Sequence, residues 1–293
     1  MWSTGSSGRD RTGPVAHAKP MLRAREGADA GGPMRGAVRL AQWWRAAVAE
    51  PVLSVLFPPR CIGCGDFEYH LCPSCRDALD AIGPDPCPRC GEPGPAPLVG
   101  GRCARCMGKD LTYAGVRSAF RHEGVARRMV ADFKFGGQPV LGRVMADLAR
   151  PTFVDYVSSI APDDRVLVTW VPCHRVAQRK RGYNQAEVLA RALASGRLPL
   201  ARAGLVHKTT PTKHQKGLGR AGRQGNLRGA FAIDRLALSR VPSETGALVL
   251  VDDVYTTGAT AGEVSSVLAE GTGLPVYVFT FSRAPGGVTE RHD

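Results

Sequence analysis

Eight of the chain's nine cysteines fall into four C-x-x-C pairs, Cys61/Cys64, Cys72/Cys75, Cys87/Cys90 and Cys103/Cys106, with seven, eleven and twelve residues between successive pairs. A C-x-x-C turn aims two thiolates at one centre, and two such turns complete a closed tetrahedral four-cysteine zinc site. Eight ligands therefore suit two structural zinc ions, which leave no open position for chemistry and act on folding and docking. The competing redox reading of C-x-x-C rarely comes four times in so short a span. Gly65 and Gly91, each directly after a second ligand, let the chain curl so that backbone amides face the sulfurs. The spacing leaves open whether the pairs combine in order or interleave. His70, between two pairs, is a spare donor that a complete set of eight cysteines does not need. Cys173 stands apart as a free thiol.

Around this module the chain changes character. Residues 1–35 carry no hydrophobic periodicity and read as a disordered extension, and Met34 offers an alternative start just before the first patterned segment. Apolar residues from Val38 to Leu56 recur at helical spacing, with Pro51 as a kink. From Leu111 onward, buried-type strands alternate with amphipathic helices, the mark of a parallel α/β sheet. Strands are expected at Val116–Arg121, Val166–Val171, Leu205–His207, Gly229–Ile233, Ala247–Val251 and Pro275–Ser282. Helices are expected at Gly124–Lys134, Val140–Tyr156, Asn184–Ala194 and Ala259–Glu270, with a long basic loop at Thr209–Arg228. The expected division is a disordered 1–35, a helix plus double zinc module at 36–110, an α/β domain at 111–283 and a tail at 284–293.

The most specific stretch is Leu248-Val-Leu-Val-Asp252-Asp253-Val-Tyr-Thr256-Thr257-Gly258-Ala259-Thr260. It reads as a buried strand, two adjacent carboxylates, a hydroxyl-rich turn of small residues and a helix. Such a turn offers backbone N–H groups, hydroxyls and a helix N-terminus to one phosphate. Gly258 lets the backbone approach the anion without a Cβ in the way. The carboxylates repel a phosphate, so they face hydroxyl groups, as a ribose would supply. Gly217-Leu-Gly219-Arg-Ala-Gly222 fits G-x-G-x-x-G but follows no buried strand, so it fails as a dinucleotide site.

The acidic stretch resembles the phosphoribosyl-pyrophosphate (PRPP) signature of type I phosphoribosyltransferases. Three other segments narrow the resemblance to the ComF/GntX family. They are Val171-Pro-Cys-His174-Arg175 through Arg179-Lys-Arg181-Gly-Tyr183-Asn184-Gln185, Thr210-Pro-Thr-Lys213 through Arg228-Gly-Ala-Phe231, and Phe133-Lys134-Phe135-Gly136. With the cysteine pairs, the resemblance spans roughly residues 38–283; Cys173 departs from it where an aliphatic residue is usual. The resemblance implies a type I phosphoribosyltransferase-like parallel sheet with flanking helices behind the double zinc module. It further implies PRPP bound with Mg²⁺, ribose hydroxyls on Asp252 and Asp253, and the 5-phosphate on Thr256, Thr257, Gly258, Ala259 and Thr260. Arg175, Arg179 and Arg181 become pyrophosphate candidates, with Lys134 a weaker one. Asn184 stands either beside them or as a helix cap. Loop 209–228 becomes a mobile hood. The activity implied is phosphoribosyl transfer or hydrolysis.

Charge supports a second reading. Between Arg165 and Ala230 lie fourteen Lys or Arg and one acid, Glu187, which equals the net charge of the whole chain, +13. A basic block of this kind suits a polyanionic partner. The family is associated with incoming single-stranded DNA, which implies a binding rather than catalytic role in DNA uptake beside a helicase-type partner. On that reading Lys213, Lys216, Arg220 and Arg223 track a phosphate backbone, and Trp170, Tyr183 or Phe231 stack bases. No apolar run approaches the ~20 residues of a membrane span, and Met1–Met34 lacks a signal peptide's hydrophobic stretch. The expected location is the cytoplasm.

Overall fold

Strand β2, Val166–Trp170, is buried at all five positions, so both of its faces are covered, as its nearly continuous apolar sequence requires. In the computed structural model it pairs in parallel with β5 (Ala247–Tyr255), which pairs with β6 (Val276–Arg283), which pairs with β1 (Gly115–Arg121). The sheet order is β1-β6-β5-β2, all parallel. The described residues are 58–94, 98–160, 165–195, 198–201, 203–209 and 229–285, and they fall in one compact unit that begins at Phe57. The extension 1–35, the segment 38–56 and most of the basic loop, with Lys213, Lys216, Arg220 and Arg223, lie outside the described residues.

The α/β architecture expected from the sequence is what forms. Helix α1 (Pro73–Asp77) belongs to the cysteine module. Helices α2 (Gly124–Phe135) and α3 (Val140–Ile160) connect β1 to β2. On α3, Leu141, Met145, Ala149, Phe153 and Val157 are buried at four-residue intervals, one stripe facing the sheet. The helix continues a turn past Tyr156 and carries Pro151 inside it. Gly142 allows α3 its close approach to α2 and α5 (Gln185–Ala194), because a Cβ there would stand 2.9 Å from the Phe133 ring. Arg175–Arg181, expected only as part of a loop, forms a short helix, α4; the His174 ring nitrogen accepts the Val176 N–H, and Gly182 closes the helix in a left-handed conformation. Strands β3 (Val206–Lys208) and β4 (Phe231–Ile233) make a separate antiparallel pair. Thr209 N–H donates to Ala230 C=O at 2.9 Å, so the two ends of the basic loop meet. Helix α6 (Arg235–Leu238) follows, and α7 (Ala259–Thr272) joins β5 to β6.

The cysteine module sits on the outer edge of β1. Ile82 N–H donates to Ala119 C=O and Arg121 N–H to Asp80 C=O, so residues 80–82 extend that edge antiparallel. No helix among the described residues is long and apolar enough to cross a membrane.

Candidate functional site

The acidic pair lies toward the C-terminal end of the sheet's central ladder. Strand β5 runs beyond Val251 to Tyr255 because β6 continues beside it, pairing Asp252 with Thr280 and Val254 with Ser282. The carboxylates therefore project from the last part of a strand rather than from the turn after it. Val171 N–H donates to Val251 C=O at 3.0 Å, which brings the loop after β2 alongside. This is the carboxyl edge of the sheet, where ligands of open α/β folds sit.

Asp253 is buried and forms a 2.8 Å ion pair with Lys134 Nζ near the end of α2. Burial alone would lower the Lys134 ammonium; the charge and hydrogen bond of Asp253, with Asp252 behind it, reverse this and raise it. Asp252 has no such cation in contact among the described residues. Burial, with the neighbouring Asp253 charge, pushes its carboxyl up to about 7, against the attraction of Lys134 and a 2.9 Å hydrogen bond from Asp253 N–H. The pair is thus asymmetric, one carboxylate neutralised by a lysine and the other poised to ionise near neutral pH.

The turn that follows carries Thr256 and Thr257, and Gly258 at its end caps α7 with φ 80°. The Thr257 hydroxyl accepts a long 3.4 Å bond from Ala259 N–H. Ala259 and Thr260 open the helix, whose first-turn amides have no intrahelical partner. The reason for glycine at 258 is nearer than an anion. Besides its left-handed backbone, a Cβ there would strike the Tyr255 hydroxyl and lie 3.1 Å from that of Tyr113. Those two hydroxyls bond each other at 2.7 Å, forming a floor beneath the turn.

That floor is held by the second cysteine cluster. Arg283, 4% exposed at the end of β6, stacks over the Tyr255 ring at 4.6 Å. It donates to Cys90 C=O at 2.6 Å and to the Glu92 carboxylate at 2.6 Å. Arg89, inside the Cys87–Cys90 knuckle, donates to Leu111 and Ala114 carbonyls on either side of Tyr113. Both tyrosines under Gly258 are therefore fixed from the cysteine module. No sequence pattern signals Arg89 or Arg283.

The eight cysteines gather in chain order, Cys61 with Cys64, Cys72 and Cys75, and Cys87 with Cys90, Cys103 and Cys106, which settles the pairing the spacing left open. Within each group the ligand atoms lie within 4.8 Å of one another. Sulfur separations of 3.6 Å (Cys64–Cys72), 3.7 Å (Cys87–Cys106) and 3.6 Å (Cys90–Cys103) match the edge, about 3.8 Å, of a tetrahedron with Zn–S bonds of about 2.3 Å. Cys72 N–H also donates to Cys61 Sγ at 3.3 Å. The residues fit zinc in both places, and Cys173 and His70 belong to neither group.

Of the arginines, Arg181 opposes the positive charge of Lys134 and donates to the Gln185 side chain at 3.1 Å. Arg175 and Arg179 are exposed on α4 with no ion-pair partner among the described residues. Asn184 is a cap: its side-chain oxygen accepts the Ala186 N–H while its amide donates to Val171 C=O. Of the base-stacking residues expected from the sequence, Trp170 and Phe231 are 4% and 5% exposed, inside the core, and cannot serve. Tyr183 is half-buried, and its hydroxyl donates to Phe133 C=O.

The fold and site define a class: two four-cysteine clusters consistent with a double zinc ribbon, built onto the edge of a parallel α/β sheet. A double zinc ribbon family matches residues 52–107. The chain is 26% identical to Competence protein F of Haemophilus influenzae over 230 residues, 77% of this chain and 97% of that protein. It is also 26% identical to Competence protein ComFC of Bacillus subtilis over 225 residues, 74% of this chain and 85% of that one. DNA utilization protein YhgH of Escherichia coli K12 matches at 24% over 204 residues, 67% of this chain and 83% of that one. The resemblance to the ComF family read in the sequence is borne out: the chain is a homologue of these competence and DNA utilization proteins over most of its length.

Proposed function

We propose that the α/β domain binds PRPP, with Mg²⁺ accompanying the pyrophosphate, and transfers or hydrolyses its phosphoribosyl group in the cytoplasm. One observation carries this reading. Two carboxylates stand in the last part of a central strand, two residues before a threonine-rich turn whose glycine caps a 14-residue helix. Asp252 and Asp253 accept hydrogen bonds from the ribose hydroxyls, and the Thr256–Thr260 turn takes the 5-phosphate. Lys134 pairs with Asp253 in its buried position. Arg181, Arg175 and Arg179 face the pyrophosphate side. In the reaction the C1–O bond breaks, pyrophosphate leaves with the electron pair, and a nucleophile's lone pair forms the new bond to C1 and sheds its proton to solvent. Catalysis of this kind is mainly electrostatic and needs no protein nucleophile.

A second reading is favoured by the names of the relatives, competence and DNA utilization proteins. Here the basic block between 165 and 230 binds single-stranded DNA. The readings part on salt and magnesium. A PRPP site gives saturable, Mg²⁺-dependent binding, whereas a strand site weakens steeply with salt. Titration of PRPP–Mg²⁺ alone and with an oligonucleotide competitor separates them. Thr257→Val should weaken PRPP binding about tenfold or more and leave DNA affinity unchanged; equal weakening of both places the two ligands in one cleft. Alanine at Lys213, Lys216, Arg220 and Arg223 should flatten the salt slope for DNA by up to roughly 0.7 per lost phosphate contact.

A further inference from the structure

Phe135 is the last residue of α2, next in the chain to the lysine that pairs with Asp253. It is 78% exposed, more than any other large apolar side chain that stands out among the described residues. The other aromatic rings of the described α/β domain are turned inward or half-covered. Its ring is not left to solvent by chance of rotamer alone. The Arg181 guanidinium lies 5.3 Å from the ring centroid and is held there by its bond to Gln185. Arg181 in turn acts on Lys134 electrostatically, so ring, guanidinium, lysine and carboxylate pair form one neighbourhood.

We propose that Phe135, braced by Arg181, is a stacking platform for a nucleobase placed beside the carboxylate pair. A ring with one face against a cation and most of its area in water is suited to a flat π-system, and bases stack on such rings with little sequence preference. A ribose held on Asp252 and Asp253 would carry its base or acceptor within reach of this side of the site; this part of the argument rests on the reading under Proposed function. The base can arrive on a free nucleotide or on a single strand. The chemistry is the same, and the chain's two readings meet at this ring.

The test is the gain in affinity due to the base. For the free ligand it is the ratio of ribose 5-phosphate to nucleoside 5′-monophosphate dissociation constants. For the strand it is the ratio between an oligothymidylate carrying abasic residues and the intact oligomer. In wild type one or both ratios should be about tenfold. Phe135→Ala should bring that ratio close to one, and Phe135→Trp should preserve it and show ligand-dependent quenching absent from wild type. Collapse in the first arm identifies a nucleotide, collapse in the second a strand, and collapse in both a shared platform. Ratios unchanged by Phe135→Ala in both arms overturn the proposal, including the case where ribose 5-phosphate and nucleotide weaken together because the ring is covered by the chain's own loop. Failure of wild type to bind ribose 5-phosphate at all refutes the carboxylate-site reading, while the oligomer arm still decides the platform.

Discussion

The two cysteine clusters have the same four ligands at the same C-x-x-C spacing, yet they stand in different relations to the rest of the molecule. In the first, Cys64 is exposed, with its sulfur bonded to Asp66 at 3.1 Å, and Cys75 is half-buried. Phe67 and Tyr69 nearby lie open to solvent. It meets the α/β core through partly buried Ile62, Leu71 and Leu79. In the second, all four cysteines are buried, and two arginines reach from it or into it to grip the ends of the sheet. Zinc chemistry alone thus does not set what a cluster does. The first is the more open of the two four-cysteine groups; the second is tied to the tyrosine floor beneath Gly258.

The largest effect expected from this contrast is on the second cluster. Cys90→Ser should lower zinc content from two ions toward one and depress the melting temperature of the α/β domain by about 10 °C or more, since metal binding there is folding energy. The same change at Cys64 should cost one zinc while leaving the sheet's circular-dichroism signal and melting nearly intact. Equal melting shifts in the two variants would break the comparison.

Next comes Arg283→Met. It removes the bonds to Cys90 and Glu92 and the contact with Tyr255, at an expected cost of about 2–4 kcal/mol. Zinc stoichiometry should stay at two while PRPP affinity falls about tenfold, which isolates the brace from the metal. Retention of full affinity would make Arg283 a fold residue only.

Smaller still is the effect of pH on the acidic pair. Asp252 has its carboxyl pushed from 3.8 to about 7, so the folded state holds a proton that the unfolded chain has released across that window. Its contribution to instability is absent below the unfolded value, grows as pH rises, and is complete above about 7. Asp252→Asn should therefore raise the melting temperature by a few degrees at pH 8 and leave it unchanged near pH 4. PRPP binding by wild type should strengthen between pH 6 and 8 as the carboxylate ionises. The least disruptive probe is a weak chelator, which should release zinc in two phases, the exposed first cluster leading.

Much of this arrangement was legible in the sequence because it is local. Metal ligands three residues apart, a continuous apolar strand such as Val166–Trp170, and two acids before a threonine–glycine turn all fix their neighbours through short-range geometry. What was not legible depends on distant segments. Arg283 meets Cys90 across most of the chain, and nothing at either position announces the other. Lys134 was visible inside Phe133-Lys-Phe-Gly136, but its pairing with Asp253 needs α2 to dock against β5. Gly258 was read correctly as a residue that tolerates no Cβ, for an anion rather than for the two tyrosine hydroxyls beneath it. The aromatic residues show the same limit. Composition does not distinguish Phe135, in water, from Phe133 two positions earlier, which is wholly buried.

Calorimetry of PRPP–Mg²⁺ on wild type and on the Asp252→Asn, Asp253→Asn double variant tests the central claim most directly. The account predicts saturable one-to-one binding by wild type, dependent on Mg²⁺, and a loss of at least about a hundredfold in the double variant, which still folds cooperatively. Wild type that gives no binding heat, or a double variant that binds as tightly as wild type, would contradict it.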